Sequence, residues 1–313
     1  QLMVLTDSEG GKTYPWSALE AVLVFGLARL TSGVVAAALN HGVVIHFLGG
    51  AEGYQGRLTP DHYHIDDLDA ALAQRDCFAD PAIRLHLART LVCARLANQR
   101  EVLRQRLRHH PADHPAVDDL SKLIKKASSA EQAVSLNGYE GNGARIYYQA
   151  LALTLPDWPQ FSGRNRRPPR DPVNALLSLG YTIVYSRTQG MVQAMGFHPR
   201  LGFYHKPHGR HAVLASDLME PFRHLVERTA CTVITRAELK AEDFILDPEK
   251  GCRMTKQALR HYLARLAETM ARPMTPVDGD SGNFYLQMQR QLKSLDRLRR
   301  GEGDFRPWFF RTK

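Results

Sequence analysis

Over the first sixty residues the apolar positions fall in short, β-rich runs. LMVL (2–5), AVLVFG (21–26), VVIHFL (43–48) and YQGRL (54–58) are each set off by turn residues and read as strands. Between the second and third, TSGVVAAALNHG (31–42) opens on Thr31, a good N-cap, and stops at Gly42, which predicts one small helix packed on the sheet. After HYHIDDLD the period changes to that of helices and largely stays there. AALAQRDCFA (70–79), the run 81–110, the run 119–155, the run 171–196 and DLMEPFRHLVERTACTVI (217–234) give five helical regions. The pattern predicts an α+β chain: a small N-terminal β-rich domain over residues 1–65 and a larger, mainly α-helical domain over 66–313.

Punctuation refines this outline. SGRNRRPPRDP (162–172) cannot be helical, because Pro168, Pro169 and Pro172 interrupt it. Asp171 then caps the next helix, with Pro172 at its first position. The tail GEGDFRPWFFRTK (301–313) has no period to assign. No run of about 18 apolar residues is present, so no membrane span is expected. The opening QLMVLTDSEGGK lacks the basic-then-apolar order of a signal peptide. Cys77, Cys93, Cys231 and Cys252 lie far apart with no CxxC pair, as expected for reduced thiols in a cytoplasmic protein.

Charge changes the picture. The 313 residues carry 41 Lys plus Arg against 32 Asp plus Glu, a net charge of +9. Much of the excess sits in three blocks, residues 94–110, 162–170 and 290–300. One such block is usually a solvated helix face. Three of them, with a pI near 9.5, favour a polyanionic partner, most simply nucleic acid.

The stretch GFYHKPHGRHAVLASDLMEPFR (202–223) holds the candidate chemistry. His198, His205, His208 and His211 invite a zinc reading. Pro207 and Gly209 deny His205, His208 and His211 a shared helical face, so His208 and His211 are not expected to be ligands. Downstream, Leu218, Phe222, Leu225 and Val226 have helical spacing, and Asp217 and Glu220 are three apart on one face. Two acids in a first turn are also what a helix dipole favours. Glu140, in NGYEGNGARIYY, lies between Gly138 and Gly141 at the start of an apolar helix whose Ile146, Tyr147 and Ala150 look inward. Glu140, His205 and Glu220 together would suit Mg²⁺ or Mn²⁺, with the imidazole tilting the set toward Mn²⁺. Spacing alone does not bring the three together.

In chain order, ARLANQR, NGYEGNGARIYY, GRNRRPPRDPVNALLSLGYTIVYSR and GFHPRLGFYHKPHGRHAVLASDLMEPFR resemble the CRISPR-associated Cas1 family of integrases and endonucleases. PWSALEAVLVFGLARLTSGVVAAALNHGVVIHFLGG resembles its N-terminal domain. The resemblance places the family's metal ligands on Glu140, His205 and Glu220, with Asp217 as a supporting catalytic residue. Many members have Asp where this chain has Glu220, and either carboxylate binds the same hard cation. It implies insertion of short double-stranded DNA fragments as new spacers into a CRISPR array, by attack of a 3′-hydroxyl on a repeat-boundary phosphodiester. Arg95, Arg100 and Arg104, then Arg164, Arg166 and Arg167, with Lys206 and Arg210 of the histidine loop, would track DNA phosphates. Expected partners are a second copy of the chain, meeting through the β domain, and the small Cas2 protein. The family's β domain usually begins about one hairpin before Leu2. The domain is therefore expected to be truncated at its start, in a chain cut from a longer one such as a fusion to a reverse transcriptase.

Two other classes fit the same residues. One is a metal-dependent nuclease of branched or damaged DNA using the same ligands. The other is a non-catalytic, basic nucleic-acid scaffold in which the acids are helix caps.

Overall fold

A computed structural model describes residues 2–4, 11–19, 21–25, 28–49, 53–60, 63–108, 115–165, 168–209, 211–274, 276 and 279–310. In the N-terminal region, strands β1 (Leu2–Val4) and β2 (Lys12–Tyr14) form an antiparallel pair. A three-stranded sheet follows, in which β3 (Ala21–Phe25) runs parallel to β4 (Val44–Gly49) and β5 (Gly53–Leu58) returns antiparallel to β4. Parallel neighbours cannot be joined by a tight turn. Helix α1 (Ser32–Asn40) makes the crossover, with Thr31 Oγ1 accepting from Val34 N at 3.2 Å as the sequence predicts. Leu2, Trp16, Val24, Ala38, Val43 and Ile45 close a small core of their own.

The body is helical, giving the α+β class expected. It comprises α2 (Tyr63–Ala79), α3 (Pro81–Leu107), α4 (Ala116–Ser128), α5 (Ala133–Ala152), α6 (Pro172–Ala194), α7 (Val213–Met219), α8 (Arg223–Thr235), α9 (Lys256–Ala271) and α10 (Phe284–Arg299). The hairpin β6 (Phe244–Asp247) and β7 (Gly251–Met254) lies between α8 and α9. The two central helices start alike. Asp80 accepts from Ala82 N and Ile83 N at 2.8 and 3.0 Å ahead of Pro81, and Asp171 accepts from Asn174 N at 2.8 Å ahead of Pro172. Helix α6 packs on β4, β5, α7 and α8, while α3 packs on α4, α5 and the 3₁₀ turn Glu220–Phe222. At Gly180 the α6 and α8 backbones come so close that a Cβ would lie 2.4 Å from Val226 Cγ1 and 2.5 Å from the Tyr262 hydroxyl.

The structure departs from the sequence pattern in three places. The run 119–155 is two helices, broken where Gln132 is extended at φ −135°, ψ 138°. Ser128 and Ser129 hydroxyls turn back to the Lys125 carbonyl at 2.8 and 3.3 Å there, in place of a Gly or Pro signal. The polar strand β2, the β6–β7 hairpin and helices α9 and α10 carried no assignment. The tail without a period buries Phe305 and Trp308 in the main core. Among the described residues no helix is long and apolar enough to cross a membrane.

Helix α8 carries two buried titratable groups whose states the fold fixes. Burial, then the neighbouring Arg228, pushes His224 down to about 3 from 6.5. Burial works to raise Glu227, but the charge and hydrogen bond of Arg95 outweigh it and bring the carboxyl to about 2 from 4.5. Both folded values lie below the unfolded ones, so each group stabilises the fold above its ordinary pKa and ceases to as pH falls through the folded value. The urea midpoint should therefore fall from pH 6.5 toward 3 through His224, and from pH 4.5 toward 2 through Glu227. Glu227→Gln should flatten the lower step and cost about 3 kcal/mol at neutral pH, because it strands the buried Arg95. Urea titrations across this range check both, and an unchanged lower step would show that Glu227 is not held as a carboxylate.

Candidate metal centre

His205 lies between α6 and α7, outside any regular element, and its position is set by Asp217. This carboxylate is fully buried on α7. Its Oδ2 accepts from Phe203 N and Tyr204 N at 2.8 and 3.1 Å. Its Oδ1 accepts from His205 N at 2.9 Å and pairs with His205 Nδ1 at 2.7 Å. Three successive backbone donors and one imidazole thus close on a single carboxylate. Gly202 permits the approach, since a Cβ there would stand 2.7 Å from Asp217 Oδ2 and 2.6 Å from Val213 Cγ1. With Nδ1 engaged, Nε2 is left for a ligand, the arrangement that orients metal-binding histidines.

Helix α5 brings Glu140 to the same place, and the 3₁₀ turn after α7 brings Glu220. One donor atom from each of Glu140, His205 and Glu220 lies within 4.8 Å of the others, and no other such grouping occurs among the described residues. Tyr204 donates to Glu140 Oε2 at 2.8 Å. Arg223 donates to Glu220 Oε1 at 3.1 Å, and Arg95 Nε stands 3.5 Å from Glu220 Oε2. Burial, then the charge of Glu220, raises Glu140 above the usual carboxylate range. Burial lowers His205, but the Asp217 hydrogen bond and the Glu220 charge override it and raise the imidazole to about 9. Burial and then Glu140 also raise Tyr204, so its hydroxyl keeps the proton it donates.

These shifts describe a floor with too much negative charge. Glu140, Asp217, Glu220 and Glu227 face two guanidiniums, Arg95 and Arg223. The protonated His205 imidazole offsets one more of these charges, and the excess reaches that of one divalent cation only when the imidazole gives up its proton to bind it. Two carboxylates and one imidazole of set orientation fit Mg²⁺ or Mn²⁺.

The three side chains line a cavity of about 780 Å³ whose wall includes Arg95, Gln99, Arg145, Arg164, His208 and Arg223. The residues expected to follow DNA phosphates are placed unevenly around it. Arg95 is 3% exposed and bound to Glu227 at 2.6 Å, so it braces the floor and cannot run along a duplex. Arg100 is half-buried and donates to Ser121 at 3.2 Å, while Arg104 is exposed beside Glu101. Arg164 is held inward by Asn174 at 2.7 Å and Ser178 at 3.1 Å. Lys206 is exposed next to His205. Arg166, Arg167 and Arg210 lie outside the described residues. His211 packs flat on Tyr185 and pairs through Nε2 with Ser216 at 2.7 Å, and His208 stacks on His211.

Three contributors escaped the sequence reading. Tyr204 adjoins His205, but nothing local shows that its hydroxyl reaches helix α5. Arg223 sits three residues after Glu220, an (i, i+3) ion-pair spacing that was legible in the sequence. Glu227 lies behind the site and accepts from Tyr181 and Tyr147 at 2.7 and 2.9 Å as well as from Arg95.

Known proteins similar to this chain in sequence and fold are consistent with one another. A CRISPR-associated endonuclease Cas1 of Rhodospirillum rubrum is 31% identical, covering 95% of this chain and 90% of that one. Another from Mycobacterium tuberculosis is 28% identical over 95% and 88% of the two chains. A solved partial Cas6-RT-Cas1–Cas2 complex matches with a TM-score of 0.86 at 32% identity, covering 98% of this chain and 92% of the other. The sequence profile of the family described as CRISPR associated protein Cas1 matches residues 1–268, and the chain belongs to that family.

Proposed function

We propose that this chain is a divalent-metal-dependent DNA integrase and endonuclease of CRISPR spacer acquisition, with Glu140, His205 and Glu220 as its metal ligands. The observation that carries the reading is the convergence of these three side chains at the floor of an arginine-lined cavity. The reaction is an exchange of esters. A 3′-hydroxyl of the incoming fragment forms a new O–P bond at a repeat boundary, the original P–O bond breaks, and the proton ends on the departing 3′-oxygen. With water as the attacking group the same displacement leaves cut ends. When bound, Mg²⁺ or Mn²⁺ neutralises charge on the phosphoryl group and favours deprotonation of the attacking hydroxyl. Asp217 holds His205 in one orientation, Tyr204 steadies Glu140, and Arg95 and Arg223 balance Glu220 from behind. Arg145 and Lys206 are exposed at or beside the cavity and suited to phosphate binding.

Related chains have been solved in a Cas6-RT-Cas1–Cas2 complex. We extend that association here: two copies, meeting through the β region of residues 1–65, act with Cas2 and alongside a reverse transcriptase. Two sites a fixed distance apart suit the two ends of one fragment.

Glu140→Ala, His205→Ala and Glu220→Ala should each abolish strand joining while leaving duplex binding nearly intact. Asp217→Asn should weaken Mn²⁺ binding about 10- to 100-fold by loosening His205. Joining assays that separate joined from cut strands, with calorimetric Mn²⁺ titrations, test this set. Full joining by any alanine variant removes that residue from the site, and cut ends without joining would favour a nuclease of branched or damaged DNA.

Mn²⁺ affinity should also depend on pH. The raised imidazole keeps its proton until about pH 9, and a cation must displace that proton. Affinity should rise from pH 6.5 to about 9 with release of one proton. Calorimetry in buffers of different ionisation enthalpy counts that proton.

The exposed cations make a separate prediction. Arg145→Ala with Lys206→Ala should reduce the slope of log affinity against log salt by about 0.9 for each phosphate that is no longer neutralised. Binding should weaken by similar factors for unrelated duplexes, since phosphates carry no sequence information. An unchanged slope would place the DNA path elsewhere.

A further inference from the structure

The turn that carries Glu220 is tied to the C-terminal end of the chain by two buried amides. Asn98, on α3 and fully buried, donates from Nδ2 to the Pro221 carbonyl at 2.7 Å and the Trp308 carbonyl at 3.1 Å. Its Oδ1 accepts from Phe310 N at 2.7 Å. Gln291, on α10 and 2% exposed, donates from Nε2 to the Leu218 carbonyl at 2.9 Å and accepts at Oε1 from Trp308 N at 3.0 Å. Main-chain carbonyls on either side of Glu220, two residues before it at Leu218 and one after it at Pro221, are therefore held by side chains that also hold residues 308–310. Aromatic packing follows the same path. Phe310 stacks on His224 at 4.7 Å, Trp308 lies over Phe222 at 6.0 Å, and His224 Nδ1 is 2.9 Å from the Pro221 carbonyl.

We infer that Asn98 and Gln291 are positioning residues for Glu220, and that the segment Phe305–Phe310 is a strap that belongs to the metal centre although it touches none of its donor atoms. The inference rests on Glu220 being a ligand, as proposed above. The profile match ends at residue 268, before α10 and the strap. A buried amide whose donor and acceptor both have partners fixes a geometry, because moving one partner leaves a polar group unpaired. Two such amides on a four-residue segment leave the turn little freedom. The ligand's carboxylate is thus aimed by main-chain anchors, while Arg95 and Arg223 balance its charge.

The test uses the full chain, Asn98→Asp and Gln291→Met. Asn98→Asp keeps an acceptor for Phe310 N but sets a carboxylate against two carbonyls. Gln291→Met keeps the volume and removes both hydrogen bonds. Mn²⁺ affinity is measured by electron paramagnetic resonance of free ion, and amide hydrogen exchange is mapped on the metal-free proteins. Either folded variant should bind Mn²⁺ at least about ten-fold more weakly, with faster exchange confined to residues 217–222 and 304–310. Parent-like affinity despite faster exchange in the strap overturns the inference. Weaker binding with faster exchange throughout the helical body also overturns it, showing a general structural role. If Asn98→Asp does not fold, Gln291→Met decides alone. Absence of Mn²⁺ binding by the parent protein would instead refute the metal reading itself.

Discussion

One buried carboxylate holds the helical body together at its most charged point. Glu227, fully inaccessible on α8, receives Arg95 from α3 at 2.6 Å, Tyr147 from α5 at 2.9 Å and Tyr181 from α6 at 2.7 Å. Burying a carboxylate is unfavourable unless its lone pairs and charge are met, and here four helices meet to do so. Arg95 stays charged for the same reason: burial lowers its affinity for the proton, but Glu227 more than restores it. Because Arg95 also stands beside Glu220, the helix packing and the candidate metal centre share one cation. Stability and site geometry are therefore coupled through α3 and α8.

Asp217 plays the corresponding part for the irregular segment. A loop with no helical or sheet hydrogen bonds must satisfy its backbone donors elsewhere. Phe203, Tyr204 and His205 all donate to this carboxylate, which also takes the imidazole. Catalytic geometry in a loop is usually less exact than on a helix, and the Asp217 cradle gives this loop the definition that helices lend to Glu140 and Glu227.

The sequence disclosed the elements whose signals are local. Thr31 before α1 and Asp171 with Pro172 before α6 carry their own caps, and β3 and β4 have the apolar, β-branched runs of strands. Features fixed at long range stayed hidden. The break between α4 and α5 carries neither Gly nor Pro, and the polar KTY strand forms only by pairing with Leu2–Val4. The tail is ordered by amides on helices α3 and α10, which no local pattern reveals. The three proposed ligands came from family resemblance, because their convergence joins residues 65 and 15 positions apart. Arg95 was misplaced for a physical reason: along α3 a row of Arg, Asn and Gln looks like a solvated face. In fact Arg95, Asn98 and Gln99 are buried beside Leu91, Leu96 and Val102 because partners on other elements pair with Arg95 and Asn98.

These hubs explain why two mutually repelling carboxylates can stand together beside one imidazole. Glu140 is raised by burial and by Glu220, a sign that the free site is strained electrostatically. Left to themselves, the ligand-bearing segments would relax apart. Each is held by interactions that do not involve a cation: His205 by Asp217, Glu140 by Tyr204 and its helix, and Glu220 by Arg95, Arg223 and the amides around its turn. The repulsion is thus met during folding by hydrophobic burial elsewhere in the body. A divalent ion entering such a site would relieve repulsion without having to order the chain, and less of its binding free energy would go into rearrangement. The same rigidity holds two carboxylates and one imidazole at fixed spacing, which suits a small cation with strict geometry better than a site that closes around its ion.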